Sequence, residues 1–301
     1  MLSQTVQNYI DMRRSSGFQF VCQAVFLHSF ASFAAAKKEH HVRANTAIEW
    51  AGRAAKVPQR AHRLWVVIRF ARYAQTDDSR HEIPSPVFGS ETWPRRTPYI
   101  LSQDEIARLM QAASCFGTHP RQGATYSTLF GLLACTGLRI SEALRLRHQD
   151  ITPDGLLIRN TKFRKSRLVA LHDSARAALK RYLLQWRSIT LPDDRVFVSL
   201  RGTPLIRECV DGVFRELVRR AGLPCTPDGP RITPHSLRHT FAVRALQTCP
   251  DGRDRIARHM VALSTYLGHV DAAATYWYLQ ATPDLMRDIS SCCEQFVEVA
   301  S

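Results

Sequence analysis

From the first residues to about position 85, apolar side chains recur at helical spacing, and this part of the chain reads as mostly helical. The clearest stretch is Gln59 to Gln75 (QRAHRLWVVIRFARYAQ). There Leu64, Trp65, Ile68 and Phe70 interleave with Arg60, Arg63, Arg69 and Arg72, the pattern of an amphipathic helix with a basic flank. Such a flank is either a DNA-facing surface or simply the solvated side of a surface helix. The periodicity stops at Pro84-Ser85-Pro86, and Gly89, Pro94-Arg95-Arg96 and Pro98 follow. Prolines at that density break helices and stiffen the chain, so residues 86–98 read as a linker. A new pattern starts at Leu101-Ser102-Gln103-Asp104-Glu105, where Ser102 is an N-cap and Glu105, three residues on, completes a capping box. Two helices follow. Gly155 to Leu171 (GLLIRNTKFRKSRLVAL) then shows two apolar runs around a basic turn, which predicts two strands joined by a loop. Several helices come after it. The fold class is mainly α with a small β-sheet: a helical N-terminal domain over 1–85, a linker, a mixed α+β domain over 99–290 and a tail over 291–301.

Composition supports two globular domains. The 301 residues are 45% hydrophobic and 22% charged, enough apolar material for two cores and no bias towards disorder. The formal net charge is +15 and the pI near 9.9. Such an excess suits a polyanion, because each Lys or Arg that meets a phosphate releases counterions, although an anionic membrane or an acidic protein would satisfy charge alone. The excess is not a tail: residues 1–90 hold 12 Lys/Arg against 6 Asp/Glu, and the rest of the chain carries the remaining +9. The eight cysteines form no C-x-x-C pair, which argues against a zinc site of the usual spacing, and those in apolar or helical contexts read as small buried hydrophobes. The N-terminus has no basic region followed by an apolar run, and no segment approaches the roughly 18 apolar residues of a membrane span. The expected setting is the reducing cytoplasm.

Four short segments carry chemistry. In Thr136-Gly137-Leu138-Arg139-Ile140-Ser141-Glu142, Gly137 is a C-cap and Ser141 an N-cap, so Arg139 sits where two helices join. There it can present its planar fork to a phosphate or form a structural ion pair with Glu142. The second segment is the basic hairpin with Lys162, Arg164, Lys165 and Arg167, whose tip can enter a groove, deliver a proton to a leaving oxygen or simply be a solvated turn. In the third, Thr233-Pro234-His235-Ser236-Leu237-Arg238-His239-Thr240, Thr-Pro starts a helix and puts His235 and Arg238 on one face of its first turn. Helix N-termini attract anions, so a phosphate site is expected here. His239 falls about 100° around from Arg238 and reads as packing behind the site. The fourth is Leu263 to Leu279 (LSTYLGHVDAAATYWYL): Gly268 closes a helix, His269 follows, and Asp271 caps a short helix leading to Tyr276, Trp277 and Tyr278. Two tyrosines two apart lie about 200° apart on a helix, so one faces a site while the other packs.

In order and spacing these segments resemble the tyrosine recombinase, or phage integrase, family. The family order is Arg, a hairpin Lys, His-x-x-Arg, His or Trp after Leu-Gly, and a Tyr nine residues later. This chain has Arg139, Lys162, His235, Arg238, His269 and Tyr278, and the interval from His269 to Tyr278 is nine. Arg167-Leu168-Val169-Ala170-Leu171 is similar to the family's second hairpin strand, which sets the lysine at Lys162, with Lys165 as the alternative. The likeness covers roughly residues 99 to 290. The first 85 residues match more weakly, as the family's helical (SAM-like) core-binding domain.

The resemblance implies an enzyme that cleaves and rejoins double-stranded DNA without metal, cofactor or energy source. Tyr278 would attack the phosphodiester to give a 3′-phosphotyrosyl link. Arg139, Arg238 and His269 would neutralise the transition state, and Lys162 would protonate the leaving 5′-oxygen. His235 would accept the tyrosine proton or orient the groups that do, with Glu142 and His239 in support. Candidate DNA contacts are Arg60, Arg63, Arg69, Arg95, Arg96, Arg164 and Lys165. The family's dimer per site and synaptic tetramer imply a homo-oligomer on DNA, with related recombinases of the same element as further partners, no membrane, and a nucleoid-associated location. The ending Tyr276 to Met286 is similar to transposon- and island-borne integrases. The segment Leu285 to Val299 packs on its own domain or on a neighbour. Rival readings are an accessory DNA-binding subunit without catalysis, a type IB topoisomerase-like enzyme, and a helix-turn-helix regulator.

Overall fold

The computed structural model describes residues 2–90, 97–159, 166–186, 194–224, 231–248 and 253–268, with the backbone alone for 253–257. The chain divides into two compact units, Met1–Arg95 and Arg96–Ser301.

The first unit is helical: α1 (Leu2–Ser15), α2 (Val21–Ala36), α3 (Ala44–Gly52) and α4 (Val57–Asp77). Its core gathers Ile10, Leu27, Phe30, Trp50, Val67 and Phe70, all buried. The expected amphipathic helix is instead a central one: α4 buries Ala61, Leu64, Val66, Val67, Ile68, Phe70, Ala71 and Ala74, which lie around most of its circumference. Two of its arginines work within the unit. Arg60 Nε donates to the Ala54 carbonyl at 2.7 Å, and the Arg63 guanidinium lies over the rings of Trp50 and Phe26 at 5.4 and 5.6 Å. Arg69 is half-buried and Arg72 exposed. The unit extends beyond the last helix, because Phe88 packs on this core and Trp65 Nε1 donates to the Gly89 carbonyl at 3.1 Å.

The second unit begins with the expected cap. The Ser102 amide donates to Glu105 Oε2 at 2.8 Å and the Glu105 amide to Ser102 Oγ at 3.1 Å, starting α5 (Gln103–Ser114). Central to the unit is α6 (Pro120–Thr136), which buries Leu129, Phe130, Leu132 and Leu133 and packs against α5, α8 (Asp173–Trp186) and α10 (Pro234–Gln247). A one-turn helix, α7 (Ile140–Ala143), and a 3₁₀ turn over His148–Asp150 lead into the sheet. The pattern predicts two strands; the structure has three, because β1 (Ile151–Thr152) is too short to show an alternation. It pairs antiparallel with β2 (Gly155–Ile158), which pairs antiparallel with β3 (Arg167–Val169).

Register decides which hairpin residues face inward. Leu156 opposes Val169 and Ile158 opposes Arg167, and Leu156, Ile158 and Val169 are buried. Period two then puts Arg167 on the core side and leaves Leu168 exposed. Completing the unit are α9 (Arg207–Arg220) and α11 (Arg253–Leu267), the latter packed on α10 through Ala242, Leu246, Met260, Leu263 and Leu267. The cysteine expectation fails among the described residues: Cys22, Cys115, Cys135 and Cys209 are all exposed by area, although Cys135 lines a cavity and loss of water pushes its thiol pKa up to about 11.

Gly137 ends α6 in the left-handed conformation, φ +62°, and its amide donates to the Leu133 carbonyl. A Cβ there would stand 2.5 Å from Phe241 Cδ1 and 3.0 Å from Leu267 Cδ2. Gly137→Ala should therefore destabilise the protein by about 2–5 kcal/mol, the sum of a left-handed non-glycine residue and an overpacked contact. Urea unfolding checks this; a loss below about 0.5 kcal/mol, the size of an ordinary surface substitution, would show that Phe241 yields without strain.

Candidate active site

The site is built where α6 turns into α7. Because Gly137 reverses the chain, Arg139 becomes the N-cap of α7, and Ser141, the expected cap, lies inside the helix. Glu142 is then the third residue of that turn and accepts the Arg139 amide on Oε2 at 3.0 Å, half of a capping box. Its carboxylate is 2% exposed and takes three further donors. Arg139 Nη1 and Arg167 Nη1 reach Oε1 at 2.9 and 3.0 Å, and Arg167 Nη2 reaches Oε2 at 2.8 Å. Four donors on two oxygens use the acceptor capacity of a carboxylate in full. Burial pushes the Glu142 carboxyl up, but the Arg167 hydrogen bonds, the Arg139 amide and both guanidinium charges outweigh it and hold its pKa at about 2. The ion pair with Glu142 forms, and about a third of the Arg139 side chain stays open.

Arg238 comes from the first turn of α10. Thr233 caps that helix, Pro234 opens it, and the Thr233 amide donates to Ser236 Oγ at 3.1 Å. The Arg238 side chain is buried, with Nη1 on the Gly137 carbonyl at 2.6 Å and Nη2 on the Leu267 carbonyl at 2.9 Å. Arg139 Nη2 reaches the next carbonyl, Gly268, at 3.3 Å. The two forks thus lie side by side against the last turn of α11, which Gly268 closes as expected.

His235 and Arg139 line one cleft of about 560 Å³, together with Ser141, Arg207, Arg215, Arg231, Thr233 and the apolar side chains of Phe214 and Ile232. The cleft holds four arginines against one acid, Asp211. By area His235 is exposed on the cleft side, while its other face packs edge-on against His239, ring centroids 4.4 Å apart. Its pKa is pushed down to about 4 by loss of water on the packed face, then by the charges of Arg238, Arg139 and Arg207. Since the open face keeps its water, the three guanidinium charges are the firmer ground for that direction. At neutral pH the ring is uncharged and able to accept a proton.

Of the expected site residues, the structure brings together Arg139, Glu142, His235, Arg238 and His239. Arg60, Arg63 and Arg69 stand in the first unit. Lys162, Arg164, Lys165, His269, Tyr278, Arg95 and Arg96 lie outside the described residues. Sequence reasoning missed Arg207, Arg215 and Arg231, whose approach to the cleft leaves no local signal. It also missed the inward place of Arg167, which the alternation Arg167-Leu168-Val169 against Leu156-Leu157-Ile158 does encode. Among the described residues, no three His, Cys, Asp or Glu side chains gather as a metal would require, and no helix is long and apolar enough to cross a membrane.

The buried carboxylate makes a pH prediction. Folding lowers the Glu142 pKa from an ordinary 4.5 to about 2, so its contribution is complete above about pH 5 and fades as pH falls towards about 2. Wild type should exceed Glu142→Gln in stability by about 3 kcal/mol at neutral pH and lose that advantage across the acid interval. Urea unfolding at stepped pH measures it; an advantage that does not change with pH would mean that the carboxylate charge does not hold the two arginines.

Comparison with known proteins identifies the family. The phage integrase family matches residues 100–284. A putative integrase/recombinase, y4rB of Sinorhizobium fredii, is 38% identical over 299 residues, covering 95% of this chain and 94% of that protein. The tyrosine recombinase XerD of Caulobacter vibrioides is 33% identical over 229 residues, covering 72% and 69%. Among solved structures, the XerH site-specific recombinase in a post-cleavage complex with a palindromic difH substrate shares the fold at a TM-score of 0.68. It is 18% identical over 90% of this chain and 78% of that one. The mainly helical architecture with its small antiparallel sheet is the tyrosine recombinase fold, and the chain belongs to the phage integrase family of site-specific tyrosine recombinases.

Proposed function

We propose that this enzyme cleaves and rejoins double-stranded DNA at a paired arginine site, with Tyr278 as nucleophile, and that it moves or resolves a mobile element. The observation that carries the reading is the convergence of Arg139 and Arg238 on the last carbonyls of α11, with a neutral His235 lining one cleft with Arg139. Phosphoryl transfer needs positioned cations more than it needs covalent chemistry by the protein, because charge grows on the non-bridging oxygens in the transition state. Arg139 and Arg238, with His269, supply that neutralisation. The Tyr278 hydroxyl oxygen forms a bond to phosphorus as the bond from phosphorus to the 5′-oxygen breaks, leaving a 3′-phosphotyrosyl link. The tyrosine proton passes to His235, and Lys162 delivers one to the 5′-oxygen. Attack by a 5′-hydroxyl reverses each transfer and reseals the strand, so the phosphate ester energy is conserved in the covalent intermediate.

In this reading residues 1–85 are the core-binding domain, 86–98 the linker, 99–290 the catalytic domain and 291–301 the tail. The support for it is the basic charge on both parts of the chain. The protein acts as a dimer on each site and a tetramer in synapsis, alone or with related recombinases of the same element, at the nucleoid. Relatives named integrase/recombinase support the mobile-element role.

The deciding experiment incubates wild type and Tyr278→Phe with a nicked duplex bearing the element's end and looks for a covalent adduct resistant to detergent. Wild type should form it, and Tyr278→Phe should bind the duplex but form none. An adduct that persists in the variant moves the nucleophile to another residue such as Tyr276, and binding without any adduct favours the accessory reading.

His235 offers a second test. Its pKa is lowered by burial and then by the charges of three guanidinium groups, so a DNA phosphate lodged among those charges should raise it by at least about one unit. Proton NMR of the imidazole with and without duplex measures this. A pKa unchanged by DNA would remove His235 from the phosphate site.

A further inference from the structure

Three consecutive carbonyls at the end of α11 each accept from a different arginine. Tyr266 takes Arg167 Nε at 2.8 Å, Leu267 takes Arg238 Nη2 at 2.9 Å, and Gly268 takes Arg139 Nη2 at 3.3 Å. The last carbonyls of a helix have no partners within it and carry the negative end of its dipole, so cations belong there. Two of these arginines are the ones assigned above to the phosphate. The third differs in kind. Arg167 is 11% exposed and, like Arg238, is absent from the lining of the cleft, but it spends its two amino groups on the Glu142 carboxylate and not on backbone carbonyls.

That placement is demanding. The strand register turns Arg167 inward opposite Ile158, where an unpaired cation would be costly. Its fork is answered on both edges, by the carboxylate and by the end of α11. The approach is close enough that a Cβ on Gly268 would stand 2.8 Å from Arg167 Nη1. Tyr266 also donates its hydroxyl to the Ala170 carbonyl at 3.3 Å, which ties β3 to the same turn a second time. Glu142 joins Arg167 directly to Arg139. If Arg167 were lost, the buried carboxylate would keep only the Arg139 amide and guanidinium as partners among the described contacts. It would then draw the Arg139 fork away from any phosphate.

We propose that Arg167 is a positioning residue for strand cleavage. Acting through Glu142, it fixes the fork of Arg139, and through Tyr266 it fixes the end of α11 that leads to His269. This rests on the phosphate role of Arg139 proposed above. A lysine at this position supplies charge but cannot span two carboxylate oxygens and a carbonyl, so it should restore only part of the function.

The test uses the full chain and the nicked element-end duplex. It measures the single-turnover adduct rate at saturating DNA and, separately, the duplex Kd, for wild type, Arg167→Gln, Arg167→Lys, Glu142→Gln and the Arg167→Gln/Glu142→Gln double variant. Arg167→Gln should form adduct at least about tenfold more slowly while its Kd stays within about threefold, since positioning acts on the transition state. Arg167→Lys should fall between it and wild type. The double variant should be no more than about threefold slower than the slower single, because the two residues act as one unit. A wild-type rate in Arg167→Gln, or penalties that multiply in the double variant, overturns the proposal. So does an equal loss of rate and affinity in Arg167→Lys, which marks a merely structural role. If wild type itself forms no Tyr278-dependent adduct, this proposal and the nucleophile assignment both fail; an active wild type with unaffected Arg167 variants sinks this proposal alone.

Discussion

The buried carboxylate of Glu142 is the constraint on which the second unit depends. Taking a carboxylate out of water costs several kcal/mol unless its acceptors are filled, and here four donors fill them. Those donors come from a helix cap and from a strand distant in sequence. The ion pair network therefore does what apolar packing alone would not: it specifies one register for the hairpin and one direction for the start of α7. Sliding β3 by one residue would turn Arg167 to solvent and bury Leu168 in its place, leaving Glu142 charged and half-partnered. The electrostatic requirement and the alternation of apolar residues thus agree on the same pairing.

The same logic explains why the site uses guanidinium groups rather than ammonium groups. A buried lysine loses its charge easily, whereas an arginine keeps it and must satisfy its donors in a plane. Arg238 does so on two carbonyls that different helices leave without partners, Gly137 at the end of α6 and Leu267 at the end of α11. Its charge is thereby fixed in space before any DNA arrives. Preorganised charge is worth most in transition-state stabilisation, since nothing has to be reoriented at the moment of reaction. The capped helix ends hold the cations, and the cations hold the helix ends together.

How much of this was legible in the sequence follows from how local each signal is. The Ser102 cap, the Gly137 reversal, the Thr-Pro start of α10 and the Gly268 stop each depend on neighbours in sequence, and all four appear in the structure. The His235-Ser236-Leu237-Arg238 spacing likewise anticipates one turn carrying both groups. Ser141 was misplaced as a cap because Glu142, not a hydroxyl, supplies the reciprocal bond, which moves the cap back to Arg139. The strand β1 and the cleft arginines Arg207, Arg215 and Arg231 were invisible. Their positions are set by contacts between elements far apart in the chain. The exposed cysteines show the same limit: an apolar sequence neighbourhood does not say which side of a helix a neighbour covers.

Charge is the weakest guide of all, and the first unit shows why. Its net positive count suggests a surface aimed at a polyanion, yet Arg60 caps a carbonyl and Arg63 lies over two aromatic rings of its own core. A guanidinium in that position still contributes to the long-range field, which falls off only over the Debye length of about 8 Å at physiological salt. It is not thereby a contact. Arginine can serve packing through its stem and plane while its charge serves attraction, so one residue can belong to the fold and to the field together. The distinction returns at the active site in sharper form. Arg139 keeps an open side on the cleft, Arg238 lies buried under it, and Arg167 is turned wholly to the protein. These three cations share one helix end, and Arg139 is the one of them that lines the cleft.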